Sequence, residues 1–354
     1  MRESTDVSRT IALIGPPDEE AARAVRKRLD SLTKPQGSLG LIEDLLVGLA
    51  AAQGSAPPRV ERKVILTFAA DHGVAEEGVS AYPKEVTAQM VYNFLRGGAC
   101  INVLARAAGA EIKVVDMGVE HDLSGEASLK HLAIGPGTKN MALGPAMSRE
   151  EAERALSAGI GLARSCAGEG FQLMGVGDMG IANTTSASAI TAALTGRPVK
   201  EVVGAGTGVQ GEALAKKVAT VERALRVNKP DGRDGLDVLS KVGGFEIGGI
   251  AGAILGAAAH RVPVLLDGFV TGAAALIALS LAPHARPFIF PSHLSAEPGH
   301  GAQLQTLSHK APLNMQMRLG EGTGAALYML LLEAGVKVLE EMATFGEAGV
   351  SEKL

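Results

Sequence analysis

What most constrains this chain is a repeated unit: a short apolar or β-branched run, then an abrupt Gly, Asp, Ser or His, then an alanine-rich helical pattern. About six such units read as a parallel sheet crossed by helices. The runs are 63–69 (KVILTFA), 111–115, 171–174, 201–203, 262–266 and 287–290. Each ends in polar residues or glycine: Asp71 and His72, Asp116, Gly177 and Asp178, Gly206 and Thr207, Asp267, then Ser292 and His293. In an open α/β sheet a ligand sits beyond the carboxyl ends of the strands, where helix N-termini also point. Chemistry-bearing side chains therefore collect where a site belongs. The fold expected is α/β, a six-stranded parallel sheet flanked by helices in a Rossmann-like manner.

The two ends of the chain read differently. Residues 19–53 carry two helical stretches broken at Lys34-Pro35-Gln36-Gly37, and 54–58 (GSAPP) interrupts the chain before the first strand. Residues 324–341 form a strongly apolar helical stretch. Terminal helices on either side of a sheet domain can pack together. The expected organisation is a large catalytic domain over 59–302 and a small helical domain built from 1–58 and 303–354.

Composition excludes several functions. A net charge of -4, from 34 basic and 38 acidic residues well mixed, offers no basic face for nucleic acid or anionic lipid. Aromatic residues at 3% leave little for stacking on bases. With only Cys100 and Cys166, no disulfide framework holds the fold, and a reducing compartment is the default. Residues 1–12 lack the apolar core of a secretory leader, so a cytoplasmic protein is expected. The charge-free runs 179–196 and 268–283 are too polar or too short to span a membrane.

Four motifs carry possible chemistry. Gly175-Val176-Gly177-Asp178-Met179-Gly180 fits the dinucleotide fingerprint, but Asp178 would repel a pyrophosphate and Glu201 begins the next expected strand instead of ending it. The segment is expected to be a tight glycine turn serving another ligand. Residues 265–272 resemble part of a phosphoribosyl pyrophosphate loop but carry one acid, Asp267, where two are usual; a strand end with a tight turn is the better reading. Gly204-Ala205-Gly206-Thr207-Gly208 can form an anion nest with Lys216 or Lys217 reaching back, or a turn made only for close packing. Leu319-Gly320-Glu321-Gly322-Thr323-Gly324 sets one carboxylate between glycines at a helix start. A helix N-terminus favours its charged form and burial raises its pKa toward useful base values. The bare flanks, which let a flat ligand approach, favour a catalytic role over simple capping. His293 and His300 are read as loop histidines bonded locally, because a zinc site needs three or four convergent ligands.

Taken together, 29–40 (LDSLTKPQGSLG), 69–83 (AADHGVAEEGVSAYP), 175–185 (GVGDMGIANTT), 204–208, 292–300 and 320–324 resemble the nicotinate-nucleotide:dimethylbenzimidazole phosphoribosyltransferase family, in order over nearly the whole chain. The resemblance implies transfer of phosphoribose from nicotinate mononucleotide to dimethylbenzimidazole, giving α-ribazole 5′-phosphate and nicotinate in cobalamin nucleotide-loop assembly. It implies Glu321 as general base with Asp178, at a position where the family is expected to carry Glu, as an auxiliary. Ser80, Tyr82 and Gln89 are implied for the benzimidazole pocket, and Leu319 for substrate binding. Gly180, Asn183, Thr184, Gly206, Thr207, Lys217 and Ser292 are implied for phosphate and ribose. It also implies a homodimer with small-molecule substrates and no metal or cofactor. Two alternatives remain: a transferase using phosphoribosyl pyrophosphate and magnesium, or a non-catalytic nucleotide-binding protein on the same fold.

Overall fold

The computed structural model describes residues 6–351; residues 1–5 of the segment read for a leader, and 352–354 at the other end, lie outside it. The chain opens with α1 (Asp6–Leu13), α2 (Glu19–Ser31) and α3 (Leu41–Gln53) before β1 (Lys63–Ala70). Next come α4 (Val86–Leu95), α5 (Cys100–Ala107), β2 (Ala110–Gly118), β3 (Lys130–His131), α6 (Arg149–Gly168) and β4 (Leu173–Met179). Then follow α7 (Asn183–Thr195), α8 (Val199–Val202), α9 (Gly211–Asn228), α10 (Gly235–Val242), α11 (Phe245–Ala259) and β5 (Val264–Leu266). The last elements are α12 (Phe269–Leu281), β6 (Ile289–Pro291), α13 (Gly299–Leu307), α14 (Thr323–Glu341) and α15 (Phe345–Ala348).

All eight residues of β1 are buried, as a continuous apolar run demands of a strand covered on both faces. Ile65 packs near Ala325 and Met329 of α14, while Phe68 lies near Gly249 of α11. Residues of opposite parity face opposite sides of a strand, so α14 and α11 cover the two faces of the sheet. The six strands are all parallel in the order β3-β2-β1-β4-β5-β6. From β1 the chain winds outward to β3 and then returns to β4 on the other side of β1. That reversal opens a crevice at the carboxyl ends of β1 and β4.

Two expectations fail here. Residues 201–203 are not a strand: Pro198 starts the single turn of α8, and the Val203 N–H closes it on Val199 O at 3.0 Å. The sixth strand is instead β3, two exposed residues whose pairing of Lys130 with Val115 is a backbone matter without an apolar run to announce it. The 175–180 segment also does not turn. Residues 175–179 continue β4, and backbone from elsewhere comes close at Gly177 and Gly180 while side chains of Ile65, Ala325 and Met329 crowd Gly175. A Cβ on Gly177 would lie 2.2 Å from the Glu321 carbonyl carbon and from Gly322 N.

Around the sheet, α2, α3 and α14 pack on one another, while α1 lies on α6 and α11. Helix α13, which spans residue 302, packs against α12 and α7. The near absence of aromatics is matched by helices that approach through small residues. A Cβ on Gly159 of α6 would sit 1.9 Å from Gly249 O of α11, a contact only hydrogen can fill. Gly159→Ala is therefore expected to destabilise the fold by about 3 kcal/mol, the upper end for overpacking. Gly161→Ala, where nothing lies within 4 Å, should be neutral or stabilise by roughly 0.5–1 kcal/mol. Chemical denaturation of the two variants beside the parent checks both signs.

Candidate active site

The turn before α14 is fixed from several sides. Asp267, just past β5, accepts the N–H groups of Gly322 at 2.9 Å and Gly324 at 2.7 Å. The Glu321 N–H bonds to Asp178 O at 3.1 Å, and the Thr67 hydroxyl donates to Glu321 O at 2.9 Å. These contacts hold Glu321 at φ +65°, between Gly320 at +91° and Gly322 at +98°. A non-glycine residue in that region costs of order 1–3 kcal/mol and persists only where its surroundings over-determine it.

Three carboxyl groups, Asp178, Asp267 and Glu321, are buried at this end of the sheet. Burial raises the Glu321 pKa, opposed by the Ile101 N–H at the start of α5, which reaches Oε2 at 3.2 Å. Asp178 is pushed up to about 7, mainly by burial, although Asn183 Nδ2 donates to it at 2.8 Å. Asp267 is pushed up to about 8, because burial and the charge of Asp178 outweigh its two backbone N–H bonds.

Beside this turn lies a pocket of about 350 Å³, large enough for a small ligand. Its walls include Tyr82, Asp178, Gly180, Asn183, Thr184, Gly206, Thr207 and Leu319, which brings together eight of the residues singled out above. Lys217 stands behind the wall: its Nζ donates to Thr184 Oγ1 at 2.8 Å and to Gly204 O at 3.1 Å, and burial lowers its pKa to about 8. Ser80 Oγ lies 3.1 Å from Thr207 Oγ1 at the rim. Glu321 is directly behind Gly320, with its carboxylate turned toward the N-terminus of α5.

Two singled-out residues stand elsewhere. Gln89 lines a separate depression with Asp71, Tyr92 and His121. Ser292 is fully buried, its hydroxyl donating to Asp267 O at 2.9 Å; Ser295 is the serine on the pocket wall. The pocket also contains His293, Glu297 and Arg318, which the motif reading left without a role. Glu297 Oε1 accepts the Gly206 N–H at 2.8 Å, and Arg318 Nη1 donates to Gly206 O at 3.0 Å. A signal for Arg318 was present in its place one residue before Leu319-Gly320-Glu321. His293 and His300 are neutral, held by burial at pKa values of about 4 and about 3, and His300 Nδ1 accepts the Ser295 N–H. No group of three or more His, Cys, Asp or Glu suited to a metal ion occurs among the described residues. No helix among them is long and apolar enough to cross a membrane.

The chain can now be set beside known proteins. A family model described as Phosphoribosyltransferase matches residues 14–350. The nicotinate-nucleotide–dimethylbenzimidazole phosphoribosyltransferase of Chloroflexus aggregans is 55% identical over 347 residues, covering 98% of each chain. That of Desulforudis audaxviator is 56% identical over 344 residues, 97% of this chain and 98% of the relative. The crystal structure of CobT from Thermus thermophilus superimposes with a TM-score of 0.90 at 49% identity, over 94% of this chain and 100% of the other.

The raised acids predict a pH dependence. A carboxyl with a raised folded pKa binds its proton more tightly in the native than in the unfolded state, so stability falls as pH rises. The contribution is complete below the ordinary carboxylate value and is lost as pH passes through about 7 for Asp178 and about 8 for Asp267. Asp178→Asn should therefore flatten the decline in urea midpoint between about pH 4 and about pH 8, by removing one such group and its repulsion of Asp267. A slope equal to the parent's would contradict this assignment.

Proposed function

The chain belongs to the phosphoribosyltransferase family whose relatives are nicotinate-nucleotide–dimethylbenzimidazole phosphoribosyltransferases, and from that premise we propose how its own residues carry out the transfer. It is an enzyme that moves phosphoribose from nicotinate mononucleotide to dimethylbenzimidazole, giving α-ribazole 5′-phosphate and nicotinate for cobalamin assembly. In this reaction the bond from C1′ to the pyridinium nitrogen breaks, and its electron pair returns to the ring, so nicotinate leaves without needing a proton. The azole nitrogen forms the new bond on the opposite face of C1′, and the azole N–H proton must go to a base.

Glu321 is that base. The single observation that supports it is the Glu321 N–H bond to Asp178 O, which ties the acid to the wall of a pocket that also contains Thr184, Gly206 and Thr207. Oε2 is engaged by Ile101, which leaves Oε1 to take the proton. Burial raises its pKa, bringing its proton affinity closer to the working range of a base. The azole then lies over Leu319 and Gly320, with Ser80 and Tyr82 at the rim. Gly206 and Thr207 receive the phosphate, with Lys217 supplying charge from behind Thr184. Gly180, Asn183 and Thr184 face the ribose. Asp178, one bond from the ribose side through Asn183, steadies positive charge developing at C1′. Gln89 and Ser292 act at a distance, the first on the neighbouring depression and the second by holding Asp267. Holding azole and C1′ at about 3–3.5 Å accounts for much of the remaining acceleration.

Helices α2, α3 and α14 form a small helical unit set against the sheet unit, while α1 and α13 belong with the sheet unit on which they pack. The enzyme works as a cytoplasmic homodimer on small molecules, with no metal or cofactor, because a monophosphate donor has no pyrophosphate to neutralise.

Glu321→Gln should retain the fold and nicotinate mononucleotide binding while turnover, followed as nicotinate release, drops by about 10²-fold or more. Turnover within a few-fold of the parent would refute the role. Turnover should also be insensitive to a chelator. Its loss on chelation would instead point to a metal-dependent donor such as phosphoribosyl pyrophosphate.

A further inference from the structure

Arg318 has a guanidinium with five N–H donors, and its one hydrogen bond here uses a neutral carbonyl, Gly206 O. Among the described residues it forms no ion pair with a carboxylate, although Glu297 lines the same pocket. Its other ionisable neighbours on the pocket wall are Tyr82, Asp178 and His293. Among the described residues Arg318 is thus the only formally charged cation lining that wall, at the turn whose amide and carbonyls are already gripped by Glu297 and Lys217. A phosphate dianion at Gly206 and Thr207 would meet the Glu297 carboxylate already on the Gly206 N–H, and one guanidinium with donors to spare to offset that charge. An Arg–phosphate pair is bidentate and charge-assisted, and stronger than the bond to a carbonyl that it supplements.

The position of Arg318 in the chain makes that contact consequential. The segment before it is tethered to the loop after β6, through Leu294 N–H to Leu313 O at 2.8 Å and Ala296 N–H to Met317 O at 2.9 Å. The segment after it is the strained turn carrying Glu321, tethered in its turn by Asp178 and Asp267. Arg318 lies between these two anchored stretches and reaches the phosphate end of the pocket. Binding energy from a non-reacting part of a substrate can be used to organise the reacting centre, and truncated substrates then lose kcat as well as affinity.

We propose that Arg318 is a positioning residue that converts binding of the donor's 5′-phosphate at Gly206 and Thr207 into a fixed geometry of the 319–321 turn, so that nucleotide donors are preferred over nucleosides in turnover itself. This rests on the function proposed above. It goes beyond phosphate affinity in coupling the anion to the base.

The test compares nicotinate mononucleotide with nicotinate riboside, with dimethylbenzimidazole as acceptor, and adds phosphite dianion to the riboside reaction. The parent should turn over the nucleotide with a kcat about 10³-fold above that of the riboside, and phosphite should raise riboside kcat by about 10-fold or more. In Arg318→Ala the nucleotide-to-riboside ratio of kcat should collapse to about 10, with phosphite activation lost and nucleotide turnover partly restored by guanidinium ion. Arg318→Lys, which keeps the charge but not the fork, should preserve the nucleotide KM better than its kcat. If the alanine variant does not fold, the lysine variant and phosphite activation of the parent decide the matter. Equal loss of both donors, or a phosphate effect confined to KM, would overturn the proposal. Absence of base exchange in the parent itself would instead overturn the function it rests on.

Discussion

One carboxylate joins the carboxyl-terminal segment to the sheet. Asp267, at the end of β5, takes the N–H groups of Gly322 and Gly324 where α14 begins. The same turn touches β4 through Glu321 and Gly177, and β1 through Thr67. Three adjacent strands thus share one irregular turn. The bare Cα of Gly177 lets that turn approach closely enough for these bonds to form together. Without Asp267 the turn would lose two acceptors, the glycine N–H groups would be buried unpaired, and the left-handed conformation of Glu321 would lose its support.

The electrostatics follow from this arrangement. Burial raises the cost of ionising all three acids, and the charges of Asp178 and Glu321 each add to the cost at Asp267. Opposing contacts differ among the three. Asp267 has two backbone donors, Asp178 has the Asn183 amide, and Glu321 has one N–H at the start of α5. Such differences suit a division of labour in which one acid holds the turn, one meets developing positive charge and one removes a proton. Two cations accompany them, Lys217 behind Thr184 and Arg318 on the Gly206 carbonyl.

Much of this was legible in the chain. Short apolar or β-branched runs marked β1, β2, β4, β5 and β6, because the sheet is covered on both faces and burial selects for such runs, although β2 also carries Glu111 and Lys113. The polar ends of those runs marked the crevice, and Glu321 between glycines marked the turn. What could not be read has definite physical causes. Strand β3 is held by backbone pairing alone, so Lys130 and His131 carry no pattern. Gly177 serves a close approach by Glu321 and Gly322, and Gly180 one by the Ala70 carbonyl, long-range contacts that local pattern cannot separate from a phosphate-binding turn. Gln89 and Ser292 sit in segments that do reach the site, but helix phase and strand-end geometry turn their side chains elsewhere. Glu297 and Ser295 reach the pocket through where a loop is folded, and they carried no spacing rule, whereas Arg318 could have been found by its place beside the Glu321 motif.

The central claim is that the acid in the 319–322 turn removes the azole proton, and a structure of the enzyme with dimethylbenzimidazole bound tests it most directly. The account predicts an azole nitrogen within about 2.6–3.2 Å of a Glu321 carboxylate oxygen, with the opposite ring nitrogen directed at the phosphoribose pocket. A heterocycle seated in the crevice while that carboxylate stays turned to Ile101, beyond hydrogen-bond reach directly or through a single water, would contradict it.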